Sequence, residues 1–166
     1  MIISFTGHRK IGGSYNSNPT KDYVANELEK ILIELKPDKC VSGVALGFDI
    51  LAAEICIKLN IPFIAAIPFV GQESRWPPHS QLHYNNILEK ALEKVIVCEG
   101  GYAVWKMQKR NEYLVNNADI IIACFDGSAS GTKNCIDYAI KQNKKIIRID
   151  PNAYTSVVQL DRMDLS

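Results

Sequence analysis

The chain carries almost no net charge: nineteen basic side chains against eighteen acidic ones leave a formal +1 at pH 7. No global field draws it onto nucleic acid or a membrane, so any nucleic-acid contact has to be local. Cysteine pairing is missing too. Cys40, Cys56, Cys98, Cys124 and Cys135 are odd in number, include no Cys-x-x-Cys pair and fall mostly in apolar segments, which favours buried free thiols over disulfides or a zinc site. No apolar run reaches the roughly 20 residues of a membrane span. The opening Met1-Ile2-Ile3-Ser4-Phe5 is not preceded by a basic region and leads straight into Gly7, His8 and Arg9, so it reads as a first strand and not as a signal sequence. Repeats, linkers and low-complexity tracts are absent. These absences predict one cytoplasmic domain over 1–166 in a reducing setting, without cofactor, metal, membrane or nucleic-acid partner.

What is present is a regular alternation. Apolar runs at Ile2 to Phe5, Lys39 to Ser42, Ile61 to Ile67, Val95 to Cys98, Asp119 to Phe125 and Lys145 to Ile149 read as strands. Amphipathic segments between them read as helices: Thr20, as cap, to Lys36; Gly47 to Asn60; Leu82 to Leu92; Met107 to Asn117; and Lys133 to Gln142. Each parallel crossover needs about a helix of chain, so this order predicts an α/β fold, a Rossmann-like, doubly wound, mainly parallel sheet with helices on both faces. Residues from Gly12 to Pro19 read as a loop, and the tail offers a short edge strand at Ser156 to Leu160.

In such a sheet the loops that follow strands share one rim. Thr6, Gly7, His8 and Arg9 leave the first strand there. Ser42, Gly43, Ala45, Gly47 and Asp49 leave the second, in a glycine-punctuated turn whose small residues allow an anion to approach the first N–H groups of a helix. Phe69 to His83, with Arg75 and Trp76, is a long polar and aromatic loop, and Ser128, Ser130, Gly131 and Thr132 form a second Gly/Ser-rich junction. Each residue has a functional and a plainer reading. Arg9 binds phosphate or carboxylate, or is a surface charge. His8 contacts ligand, or is held by backbone. Asp49 takes a ribose hydroxyl, or sits where the helix dipole favours a carboxylate. Ser128 to Thr132 cradle phosphate, or cap the next helix. Trp76, Tyr102 and Trp105 offer ring faces to a base, or cover the core. Arg110 and Asn111 reach the rim, or belong to a solvated helix face.

Together, Thr6-Gly7-His8-Arg9, Ser42-Gly43-Val44-Ala45-Leu46-Gly47-Phe48-Asp49, Arg110-Asn111-Glu112-Tyr113-Leu114-Val115 and Ser130-Gly131-Thr132 resemble the YpsA-like branch of the SLOG superfamily over essentially Ile2 to Ile149. The resemblance implies a Rossmann-like fold and a nucleotide-like or ADP-ribose-derived small molecule as partner. The superfamily also includes DprA proteins and the Lonely Guy phosphoribohydrolases, and YpsA-like proteins occur in phages and prophages; related folds often pair as homo-oligomers. Lonely Guy enzymes join an arginine in Arg-Lys-x-x-Met to a glutamate in Pro-Gly-Gly-x-Gly-Thr-x-Glu-Glu. Arg110 matches the first motif, but Lys133, Asn134 and Cys135 stand where the second needs its carboxylates. The resemblance therefore implies a binding module more than a nucleotide N-glycosidic hydrolase or transferase.

Overall fold

A computed structural model describes residues 1–12 and 18–152, and the backbone of 157–160. Its strands are β1 (Ile2–Gly7), β2 (Lys39–Ser42), β3 (Phe63–Ile67), β4 (Glu93–Ile96), β5 (Ile120–Cys124), β6 (Lys145–Ile149) and β7 (Val157–Leu160). Its helices are α1 (Pro19–Leu35), α2 (Phe48–Lys58), α3 (Pro78–Glu89), α4 (Val104–Asn116) and α5 (Gly131–Lys141). The strands form one sheet in the order β4-β3-β2-β1-β5-β6-β7. Strands β1 to β6 pair in parallel, and β7 closes the β6 edge antiparallel, with Ile149 opposite Val157. The predicted parallel α/β sheet is therefore the one observed.

The strand order places the site. From β1 the chain winds outward through β2, β3 and β4, then returns by α4 to β5 on the other side of β1. The winding direction thus reverses between β1 and β5, and open α/β sheets leave their crevice at such a switch, beyond the carboxyl ends of the strands. The residues that leave there are His8 and Arg9 on one side and Asp126 to Thr132 on the other.

Burial on both faces explains the continuous apolar strands. Every residue of β3 and β5 is buried. One face packs Val24, Leu28 and Leu32 of α1 with Phe48, Ala52 and Cys56 of α2 and Ile87 of α3. The other packs Val115 of α4 against Cys135, Ile136 and Ala139 of α5. Ser4 of β1 is fully buried and donates its hydroxyl to Leu114 O at 2.7 Å, so its burial leaves no unpaired oxygen.

Several boundaries differ from the sequence reading. Asn18, not Thr20, caps α1 by accepting from Lys21 N at 3.0 Å, because Pro19 fits the first helical position, where no N–H is needed. The same preference starts α3 at Pro78 instead of Leu82 and shortens the preceding loop. Helix α4 begins at Val104, one turn before Met107, although Val104 and Trp105 are exposed. Strand β4 sits at Glu93–Ile96 rather than Val95 to Cys98; as an edge strand it turns charged residues to solvent, which hides its pattern. In the predicted first loop, 13–17 lie outside the described residues, as does Ser156 of the tail strand. Among the described residues no helix is long and apolar enough to cross a membrane.

Candidate functional site

At the switch point lies a cavity of about 380 Å³, walled by Thr6, Gly7, His8 and Arg9 after β1, Ala45 and Asp49 from the β2–α2 junction, Met107, Arg110 and Asn111 of α4, and Ser130, Gly131 and Thr132 at the start of α5. Four segments far apart in sequence thus meet in one place. Ser42, Gly43, Gly47 and Ser128 are not on its wall, and Arg75 and Trp76 line a second lobe beside it.

The β2–α2 junction is closed by its own chain. Ser42 is fully buried, donates its hydroxyl to Asp49 O at 2.8 Å and accepts from Val44 N at 3.1 Å. That bond holds Val44 at φ 45, a left-handed conformation that a β-branched residue adopts only when its surroundings impose it. At the start of α2, Phe48 N donates to His8 O at 3.1 Å and Ile50 N to Ala45 O at 3.2 Å. Gly47 has φ +91, and a Cβ there would lie 2.3 Å from Arg9 O. Its glycine is required so that the β1 exit can lie directly on the helix start.

The β5–α5 junction is open. Ser130 caps α5 by accepting from Lys133 N at 3.2 Å, and Asn134 N bonds to Ser130 O. The N–H groups of Gly131 and Thr132, the first two of the helix, have no partner among the described residues. A Cβ added at Gly131 would meet nothing within 4 Å. His8 ties the two sides of the crevice, with Nε2 3.0 Å from Asp126 N and 2.9 Å from Asp126 Oδ1. Asp126 also accepts from Ser128 N at 2.8 Å. Bonds from Ser128 come first in lowering the Asp126 pKa, with His8 adding to them. Ser128 thus shapes the turn while Ser130, Gly131 and Thr132 face the cavity.

Two buried charges form the floor. Asp49 and Arg110 are each only 5% exposed. Burial pushes the Asp49 carboxyl up to about 6, opposed by Arg110, by the Ala45 N–H and by Arg9. Burial likewise lowers the Arg110 pKa against the pull of Asp49. Arg110 donates from one Nη to Gly43 O at 2.7 Å and from Nε to Asn111 Oδ1 at 3.2 Å. A Cβ on Gly43 would lie 2.5 Å from that Nη and 2.7 Å from Asp49 Oδ2. Gly43 is therefore small to admit these two side chains, and Arg110 lies inside the protein, not on a solvated face. Beside them is Cys135, the residue standing where the Lonely Guy motif has glutamate; burial pushes its thiol up to about 11, although the Thr6 hydroxyl and Arg110 both draw it down.

The second lobe, about 320 Å³, is lined by Arg9, Phe69, Gly71, Gln72, Ser74, Arg75, Trp76, Tyr102 and Met107. Tyr102 stands edge to face with Phe69 at 5.8 Å, and Trp76 packs edge to face on Tyr84 at 5.2 Å. Trp105 lines neither lobe; its ring lies 5.5 Å from Lys106 Nζ. Sequence reasoning missed Met107, Gln72 and Lys106. Lys106 is buried and donates to Glu99 O and Gly101 O, which fixes the loop that carries Tyr102. Its spacing of four from Arg110 and eight from Leu114, along one helical stripe, was the available signal.

Among known proteins, an uncharacterized SPbeta prophage-derived protein of Bacillus subtilis strain 168, YoqJ, is 34% identical over 145 residues, covering 75% of this chain and 84% of that protein. DNA processing protein A (DprA) of Streptococcus pneumoniae superposes with a TM-score of 0.65 at 18% identity, over 89% of this chain and 50% of that one. Its Helicobacter pylori counterpart gives 0.67 at 18% identity, over 99% and 70%. These two likenesses carry the fold alone, and this chain spans half the length of the pneumococcal protein. The YpsA family model, described as the YspA SLOG family, matches residues 3–160, and the chain therefore belongs to the YpsA family of SLOG proteins.

Proposed function

We propose that this protein binds a nucleotide or an ADP-ribose-derived small molecule at the carboxyl edge of its sheet, as a sensor or a sequestering module without chemistry of its own. The observation that carries this reading is the meeting of Arg9, the unpartnered N–H groups of Gly131 and Thr132, and the buried Asp49 and Arg110 around one cavity. Helix N–H groups and a guanidinium suit phosphate, and a buried carboxylate suits a sugar hydroxyl. Phosphate is assigned to Arg9 and the start of α5; at the start of α2, Phe48 and Ile50 already bond to their own chain. Calorimetric titration with ADP-ribose, its cyclic forms, NAD and nucleoside monophosphates tests this. Binding of one of them, weakened about tenfold or more by Arg9→Ala, is expected; no binding by any, or an unchanged affinity in Arg9→Ala, contradicts it.

A second reading is cleavage of the N-glycosidic bond of a nucleotide. It draws support from Asp49, an acid whose carboxyl burial pushes up to about 6, in the same cavity as Arg110. Release of free base from a nucleotide panel would favour it. A third is local binding of single-stranded DNA, which is the subject of the Helicobacter DprA structure and weighs against the expectation of no nucleic-acid partner. The exposed Arg9, Lys10 and Arg75 lie on the rim. Anisotropy of a labelled oligonucleotide that rises with protein and falls steeply with salt would favour it.

A further inference from the structure

Asp49 carries the wrong sign for its cavity. It is buried on the wall that Arg9, Arg110 and the start of α5 share, and when ionised it offsets one of the two guanidiniums and repels any anion that the helix N–H groups draw in. Little holds it in that state. Arg110 directs its donors to Gly43 O at 2.7 Å, Ala66 O at 3.5 Å and Asn111 Oδ1 at 3.2 Å, and among the described residues no side-chain donor bonds the Asp49 carboxylate. A buried carboxylate without a direct ion pair takes a proton readily, and burial has already pushed this one up to about 6.

The groups packed around it leave that proton to Asp49. Arg110 of α4 and Arg9 at the β1 exit are cations. Cys135 of α5 is pushed up by burial to about 11, and Tyr84 of α3, which acts on Arg110, to about 12, so both stay neutral. Strand β2 presents the Ser42 hydroxyl, bonded to Asp49 O, and α1 packs with Val24, Leu28 and Leu32. On α2 itself Glu54 and Lys58 turn to His83 and Glu29. Across the crevice Asp126 is held low by its bonds from Ser128 and then by His8. His8 is the one other residue on the cavity wall that can take a proton.

Resting on the reading above that this cavity takes phosphate, we infer that Asp49 couples anion binding to a proton: it is protonated as an oxyanion enters, so the cavity holds anions more tightly in acid than at higher pH. The coupling is reciprocal. A dianion in the cavity favours the neutral carboxyl, and the neutral carboxyl raises the affinity for the dianion by the same factor. Affinity therefore climbs as pH falls toward about 6 and levels off below it, where Asp49 is already neutral in the free protein. A ligand is captured in acid and released as pH rises.

Sulfate is the probe, because it keeps its double charge across the whole range, and calorimetric titration of the native protein and of Asp49→Asn at about pH 5 and pH 8 tests this. The native protein is expected to bind sulfate about tenfold or more tighter at the lower pH, and Asp49→Asn to change by less than about threefold. Proton uptake on binding near pH 7, read on the native protein from the heats in two buffers of different ionisation enthalpy, is expected as well and needs no variant. A native affinity that does not change with pH, absent proton uptake, or a rise that survives in Asp49→Asn and so belongs to His8, overturns the coupling and leaves the nucleotide reading standing. Sulfate that binds at neither pH also overturns the coupling; if the nucleotides fail to bind too, both readings fall.

Discussion

The β2–α2 and β5–α5 junctions look alike as sequence: each joins an apolar strand to a helix through serine, glycine and small residues. In the folded chain they are opposites. The first satisfies three of its four leading helix N–H groups within the chain, Phe48 N on His8 O, Ile50 N on Ala45 O and Leu51 N on Gly47 O. The second is capped only by Ser130 and leaves two helix N–H groups facing a cavity. A glycine-rich turn is thus no measure of an anion site; what counts is whether the protein has already spent the donors on itself.

The contrast can be broken most severely at Arg110. Removing its guanidinium by Arg110→Ala leaves Asp49 buried without its main opposing charge, and a loss of about 3–5 kcal/mol in urea unfolding at pH 7.5 is expected. Titration of Asp49 gives the next effect. Its folded pKa of about 6 lies above the ordinary carboxylate value, so its contribution to stability is fully present below about pH 4 and is lost as pH rises through about 6. Asp49→Asn should therefore gain on the native protein between those limits, by on the order of 3 kcal/mol, and hold steady above. Melting both proteins from pH 4 to 8 checks the sign; a variant that loses ground over that window contradicts it.

Glycine replacements compare the junctions directly. Gly47→Ala places a Cβ against Arg9 O at positive φ and should cost about 1–3 kcal/mol. Gly131→Ala meets open space and should stay within about 0.5 kcal/mol of native. Between them falls Ser130→Ala, where loss of the α5 cap is expected to cost about 1 kcal/mol. Equal costs at Gly47 and Gly131 would erase the distinction between the junctions.

The sheet was legible because burial on both faces writes itself into strands such as Asp-Ile-Ile-Ile-Ala-Cys-Phe at 119–125, and because a parallel order brings every strand exit to one rim. The rim residues His8, Arg9, Asp49 and Thr132 could be named on that basis. Long-range effects were less legible. Arg110 sits between Lys109 and Asn111, neighbours that leave a solvated face open beside the rim reading; its spacing of four from the buried Leu114 points to the inward face. The left-handed Val44 carries no local signal, since its conformation is imposed by Ser42 and the packed turn. Which junction stays open depends on His8 O lying over α2, a contact between residues forty positions apart.

The central claim is tested most directly by following backbone amide resonances while inorganic phosphate and then ADP-ribose are added. The amides of Gly131 and Thr132 should move and saturate with ligand, while Phe48 and Ile50, already bonded within the chain, stay in place. Saturating shifts at Phe48 and Ile50 with Gly131 and Thr132 unmoved, or no shift at either junction, would contradict it.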